Sequence, residues 1–115
     1  LVGSEMCIRD SASKAALIYV TGQLALELSP SVRVNAVAPG IVRTRLAEAL
    51  WKEHEAQVSE ATALGRIGEP TDVASAIVFL ASDAASWMTG EIMTIDGGQH
   101  LGDAAPYRAF GGALR

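Results

Sequence analysis

Apolar residues crowd one end of this chain and then thin into a regular alternation of segments. Between Ser11 and Leu28, Ala15, Ala16, Leu17, Ile18, Tyr19, Val20, Leu24, Ala25, Leu26 and Leu28 leave almost no polar face. A helix apolar on every side needs cover on more than one of them, such as a sheet on one face and a partner subunit on the other. Ser29-Pro30 closes it. Val32 to Ala38 is short, valine-rich and bounded by Pro30 and Pro39-Gly40, which predicts a buried strand, most naturally parallel. From Arg43 to about Leu64 the pattern is amphipathic: Leu46, Leu50, Trp51, Val58 and Ala61 can share a side, while Glu48, Lys52, Glu53, Glu55 and Glu60 face water. Pro70 suits a first helical turn, and Val73, Ala74, Ile77, Val78, Leu80 and Ala81 carry that helix to about Ser82. Ile92 to Ile95 predicts a second buried strand, ended by Gly97-Gly98. Residues 99–115, including Gly111-Gly112, show no period and are expected to form an irregular tail. The order helix, strand, helix, helix, strand predicts an α/β fold, with helices on the faces of a parallel sheet.

Composition narrows the classes. The 115 residues suffice for one domain, and 50% hydrophobic with 19% charged residues is a globular balance. The net charge of −4 comes without a basic stripe, which argues against nucleic acid as a partner. No apolar run approaches the ~20 residues that cross a bilayer, so no membrane partner is expected. No basic segment followed by an apolar one marks a secretory signal. Cys7 is the single cysteine, so there is no disulfide framework and no Cys/His metal spacing. No metal site is expected, and a reducing, cytoplasmic setting fits.

Four motifs carry the candidate chemistry. They are Ser11-Ala12-Ser13-Lys14-Ala15-Ala16-Leu17; Arg33-Val34-Asn35-Ala36-Val37-Ala38-Pro39-Gly40 with Thr44 beyond it; Gly65-Arg66-Ile67-Gly68-Glu69-Pro70 followed by Asp72-Val73-Ala74; and Thr89-Gly90-Glu91 through Asp96-Gly97-Gly98. In this order and spacing the chain resembles the C-terminal half of a short-chain dehydrogenase/reductase, over 11–98. The resemblance implies the C-terminal part of a Rossmann-like doubly wound sheet, with two strands and about three helices present and the remaining strands preceding Ser11. It implies hydride transfer between NAD or NADP and a small carbonyl or alcohol substrate. Lys14 would be the active-site lysine, which binds the nicotinamide ribose and lowers the pKa of a catalytic tyrosine. A cation near a phenol favours the phenolate, which brings a pKa of ~10 toward neutrality. Pro39, Gly40 and Ile41 would set backbone groups beside the nicotinamide carboxamide, and Thr44 would offer it a hydroxyl. The plainer readings are a solvated helix lysine and an ordinary Pro-Gly turn. The resemblance also implies a homo-oligomer, through the Ser11–Leu28 helix and the C-terminal strand region.

The pattern breaks at one position. Four residues before Lys14, where the family has its tyrosine, stands Asp10. A carboxylic acid of ordinary pKa ~3.9 is ionised near neutrality and cannot donate a proton to a carbonyl oxygen. Asp10 is expected instead to cap the helix or sit in its first turn. Tyr19 lies five residues after Lys14, off that face, and is expected in the core. Leu1 to Asp10 match nothing in the family and are expected to be a foreign leader, a naturally divergent N-terminus being the alternative. No Gly-x-x-x-Gly-x-Gly or Gly-x-Gly-x-x-Gly loop follows a strand, so the pyrophosphate cradle is missing. His54 and His100 are isolated and expected at the surface. Asn35 is expected to be buried and bonded to backbone, and Trp51 to pack in a core or interface or to line a substrate cleft. Such a chain is expected to be an inactive part of an oxidoreductase. The alternative is a non-catalytic relative serving as an oligomerisation or binding module.

Overall fold

The computed structural model describes residues 2–111, with side chains from 8 to 108. The side chain of Cys7 and residues 112–115, with Gly112, lie outside the described residues. The elements run α1 (Val2–Glu27), β1 (Ala36–Pro39), α2 (Glu48–Trp51), α3 (Glu55–Ala61), α4 (Pro70–Ala81), a 3₁₀ turn (Asp83–Ala85), β2 (Ile92–Ile95), a second 3₁₀ turn (Gln99–Leu101) and α5 (Ala105–Gly111). β1 and β2 pair directly. Ala36 N–H donates to Glu91 C=O at 2.9 Å and Gly40 N–H to Ile95 C=O at 3.0 Å. Both bonds advance in the same chain direction, so the sheet is parallel and the fold is α/β as the pattern predicted. The chain forms two compact units, Leu1–Ala36 with Phe79–Met93, and Val37–Val78 with Thr94–Arg115.

In the first unit, Thr21 and Ala25 are the buried residues of α1 among those described. Thr21 satisfies its hydroxyl on Leu17 C=O at 2.8 Å. A Cβ on Gly90 would meet the Ala25 methyl at 3.5 Å, so this stripe lies against the backbone that leads into β2. The other described apolar positions of α1 stay exposed. Leu17, Ile18 and Leu26 are 62%, 53% and 76% exposed, and Tyr19, expected in the core, is 69% exposed. Among the described residues of α1, cover falls on one small-residue stripe, Thr21 and Ala25.

Two expectations about where elements begin are corrected. The helix begins at Val2, so Asp10 sits inside it and is not an N-cap. Strand β1 begins at Ala36, later than the expected Val32, because the residues before it bond elsewhere. The Arg33 guanidinium donates to the carbonyls of Leu80 (2.7 Å), Ser82 (3.1 Å) and Met88 (3.4 Å). Leu80 lies in the last turn of α4, so Arg33 caps that helix from a distant part of the sequence, while Ser82 C=O, just beyond it, also accepts from Ala85 N–H at 3.2 Å. Val34 N–H turns to the Thr89 hydroxyl at 3.1 Å. Asn35 donates to Met88 C=O and accepts from Glu91 N–H, both at 3.0 Å. As expected it bonds to backbone beside the strand, though it is half-buried.

In the second unit the expected long amphipathic helix is two short ones. After Trp51, His54 takes φ −130° and ψ 26°, outside the helical region, and α3 restarts at Glu55. The break lets Glu55 reach Arg43, and it leaves Leu46 and Leu50 exposed. The tail also departs from the irregular expectation. Asp103 accepts from Ala105 N–H at 2.9 Å and so starts α5, while Ala104 N–H donates to Ala61 C=O at 3.0 Å. Arg108 donates to Thr62 C=O at 2.6 Å and Ala63 C=O at 3.2 Å. These carbonyls follow α3, so α5 closes the end of α3. The start of α4 matches its sequence reading. Pro70 is the first helical residue, and Asp72 reaches back to Glu69 N–H at 2.7 Å, as the acid of a capping box does.

Candidate functional site

The strand exit of the second unit is tightly held. Pro39 ends β1, and Gly40 follows it into close quarters. A Cβ at position 40 would lie 2.7 Å from Asp96 Cβ and 2.7 Å from Gln99 Oε1, so only glycine fits. Ile41 N–H donates to Gln99 Oε1 at 3.2 Å, and Ile41 C=O accepts from Gly68 N–H at 3.0 Å. Arg43 N–H returns to Gly68 C=O at 2.8 Å, which makes Val42 and Gly68 a one-residue parallel bridge. Beyond it the Thr44 hydroxyl accepts from Ala47 N–H at 3.2 Å, and it is exposed with its proton available to donate.

Charged side chains brace this segment. Arg43 pairs with both carboxylate oxygens of Glu55 and with Glu69 at 2.8 Å, and its guanidinium lies 5.1 Å over the Trp51 ring. Arg43 holds the Glu55 carboxyl below the usual carboxylate range. Trp51 therefore packs on a cation; its Nε1 is enclosed without a partner. Asp96 is largely buried and accepts from Gly98 N–H, His100 N–H and His100 Nδ1, each at 2.8 Å. Burial pushes that carboxyl up, but the bonds from His100 and Gly98 outweigh it and the net shift is downward. A cavity of about 100 Å³ opens beside Ile41, with Leu64 and Ile95 as apolar walls and Arg66, Asp72 and Asp96 as charged ones. Arg66 and Asp72 satisfy each other across it at 2.7 and 2.9 Å.

Lys14 belongs to the first unit. It is 70% exposed and pairs with Asp10 at 2.8 Å, one helical turn away. Thus Pro39, Gly40, Ile41 and Thr44 are contiguous in one unit, and Lys14 stands on a helix of the other. Gln99, Asp96 and Arg43 escaped the sequence reading as members of the site. Asp96 closes the Thr89–Gly98 motif, but nothing in its spacing shows that its turn reaches Gly40. Among the described residues, no group of three His, Cys, Asp or Glu could hold a metal ion. Among them, no helix is long and apolar enough to cross a membrane.

A parallel sheet with polar backbone at a strand exit is the architecture in which α/β proteins bind ligands. Comparison with known proteins makes the class specific. The family model described as enoyl-(acyl carrier protein) reductase matches residues 6–100. The 3α-hydroxysteroid dehydrogenase of Mediterraneibacter gnavus is 51% identical over 87 residues, covering 75% of this chain and 35% of that protein. A solved short-chain dehydrogenase/reductase from Brucella melitensis superimposes with a TM-score of 0.74 at 42% identity, over 76% of this chain and 36% of its own. A 4-hydroxyisoleucine dehydrogenase complexed with NADH gives 0.74 at 38%, over 80% and 39%. The chain belongs to the short-chain dehydrogenase/reductase family and has its Rossmann-like fold. It spans about a third of the length of the curated relatives it matches.

Proposed function

We propose that this chain is the C-terminal part of an NAD(P)-dependent oxidoreductase that moves hydride between a nicotinamide and a carbonyl or alcohol substrate, and that it is inactive by itself. The observation that carries the reading is the strand exit. Pro39-Gly40-Ile41 is fixed at the C-terminal end of β1, and Thr44 beyond it keeps a hydroxyl proton to donate. The residues present suit the nicotinamide end of the cofactor. Thr44 would bond the carboxamide beside the Pro39–Ile41 backbone, and Lys14 would bond the ribose hydroxyls. The nicotinamide, when bound, supplies or accepts the hydride.

Inactivity follows from what stands around Lys14. Its ammonium is engaged by Asp10, the residue at the position of the family's tyrosine. A placed proton donor is worth ~10²–10⁴ in rate. In this reading 11–98 carry the family half and 1–10 are a foreign leader, although the family match reaches back to residue 6. The same Asp10–Lys14 pair favours the second reading, a non-catalytic oligomerisation or binding module. The DNA upstream of the Ser11 codon separates the two: a continuous frame encoding a tyrosine, a serine-bearing strand and a glycine-rich loop supports the enzyme. The purified chain, assayed with NAD(H) and NADP(H) against a panel of ketones and alcohols, is expected to show no cofactor-dependent turnover; turnover above a heat-killed control would overturn the claim of inactivity. Nicotinamide mononucleotide at millimolar concentration is expected to shift the Ile41 and Thr44 amide resonances.

A further inference from the structure

We infer that Gln99 is a positioning residue, whose side-chain carbonyl holds the Gly40–Ile41 peptide in the orientation the nicotinamide end of the site requires. The inference rests on the cofactor reading of Pro39 to Thr44. Ile41 is held on both of its peptides. Gly68 N–H binds its carbonyl at 3.0 Å, which is a backbone contact that side-chain chemistry does not alter. Its N–H has one acceptor, Gln99 Oε1, at 3.2 Å. The side chain lies directly over Gly40, where an added Cβ would come within 2.7 Å of that same oxygen.

Gln99 is itself well fixed. Its N–H donates to Asp96 C=O at 3.1 Å, and its C=O accepts from Gly102 N–H at 3.3 Å. The Asp96 carboxylate ties down Gly98 and His100 on either side of it. The turn after β2 therefore presents an acceptor at a set height above the exit of β1. Without that acceptor, a half-buried N–H loses its partner and the peptide is free to rotate. Rotation at Gly40–Ile41 redirects the backbone toward Thr44, the group assigned to the carboxamide.

The test is residue-resolved amide exchange on the ¹⁵N-labelled full chain. Gln99→Met keeps length and removes the acceptor; Gln99→Glu keeps an acceptor oxygen. Gln99→Met is expected to speed exchange at Ile41 roughly tenfold, the loss of one ordinary hydrogen bond. The Gly40 and Gly68 amides, bonded to backbone, are expected to hold their rates, and Gln99→Glu to restore protection at Ile41. An Ile41 rate unchanged in Gln99→Met overturns the inference. So does an Ile41 amide already unprotected in the parent, or a uniform loosening of all three amides. The cofactor reading fails separately: its failure is a parent chain whose Ile41 and Thr44 resonances ignore nicotinamide mononucleotide while the exchange pattern stands.

Discussion

Asp10 and Lys14 show how little one favourable contact says about chemistry. They form a well-placed pair one turn apart on an exposed helix face, and such pairs contribute only tenths of a kcal/mol. Asp10→Tyr returns the family's residue, yet it supplies no phosphate cradle. Fluorescence titration with NADH and NADPH is therefore expected to show no saturable binding in the micromolar range, and saturation there would mean the cofactor site lies elsewhere. Asp72 has a measurable signature of its own. The Arg66 guanidinium first, and Glu69 N–H second, hold its carboxyl at about 2, down from 3.8. A folded pKa below the unfolded one adds stability that is full above the unfolded value and is lost as pH falls through the folded value. Urea midpoints of the parent are expected to drop as pH falls from 3.8 toward about 2. Asp72→Asn is expected to flatten that part of the profile; an identical slope would show that Asp72 does not carry it.

At the scale of elements, two arginines reach the carbonyls at helix ends from distant parts of the sequence. Arg33 caps α4 from before β1, and Arg108 on α5 takes the carbonyls beyond α3. Ser82 and Thr62 C=O keep the backbone donors Ala85 and Gly65, whereas Leu80 C=O would lose its charged donor, at a cost of about 1–3 kcal/mol. Arg33→Met keeps most of the aliphatic stem and is expected to lower stability by about 2 kcal/mol in denaturant unfolding, on the scale of hydrogen bonds to a charged group. A change within about 0.5 kcal/mol, the range of ordinary surface substitutions, would show that water replaces the guanidinium without loss. The split of the 43–64 segment into α2 and α3 belongs here too. An unbroken helix would keep Glu55 on its own spiral; the break at His54 delivers it to Arg43.

For the whole molecule, the exposed apolar residues outweigh the core. Among the described residues, the buried hydrophobic ones are Ala25, Ile67, Leu80 and Ala85, whereas Leu17, Ile18, Leu26, Val32, Leu50, Val78 and Trp87 are all exposed. An apolar patch beyond a few hundred Å² marks an interface or an aggregation hazard. A two-stranded parallel sheet also leaves strand edges that can pair with another chain. The chain is expected to sediment as oligomers or aggregates. A monomer with slow-exchanging amides in both β1 and β2 would show that it stands alone.

Local pattern carried part of this structure and long-range contacts the rest. The Ile92–Ile95 strand and the helix opened by Pro70 were legible because their signals are local: an apolar run before two glycines, and a proline with an acid two residues on. The α/β order was legible because periodicity alternates along the chain, and the strand exit because Pro39-Gly40 and Thr44 sit in a recognisable motif. The start of β1, the break after Trp51, the helix α5 and the acceptor from Gln99 were not legible. Each depends on a partner far along the chain: Arg33 on Leu80, Arg43 on Glu55, Arg108 on Thr62, Ile41 on Gln99. Backbone polar groups must be satisfied wherever a partner is within reach, and only the tertiary structure decides which side chain arrives to do it.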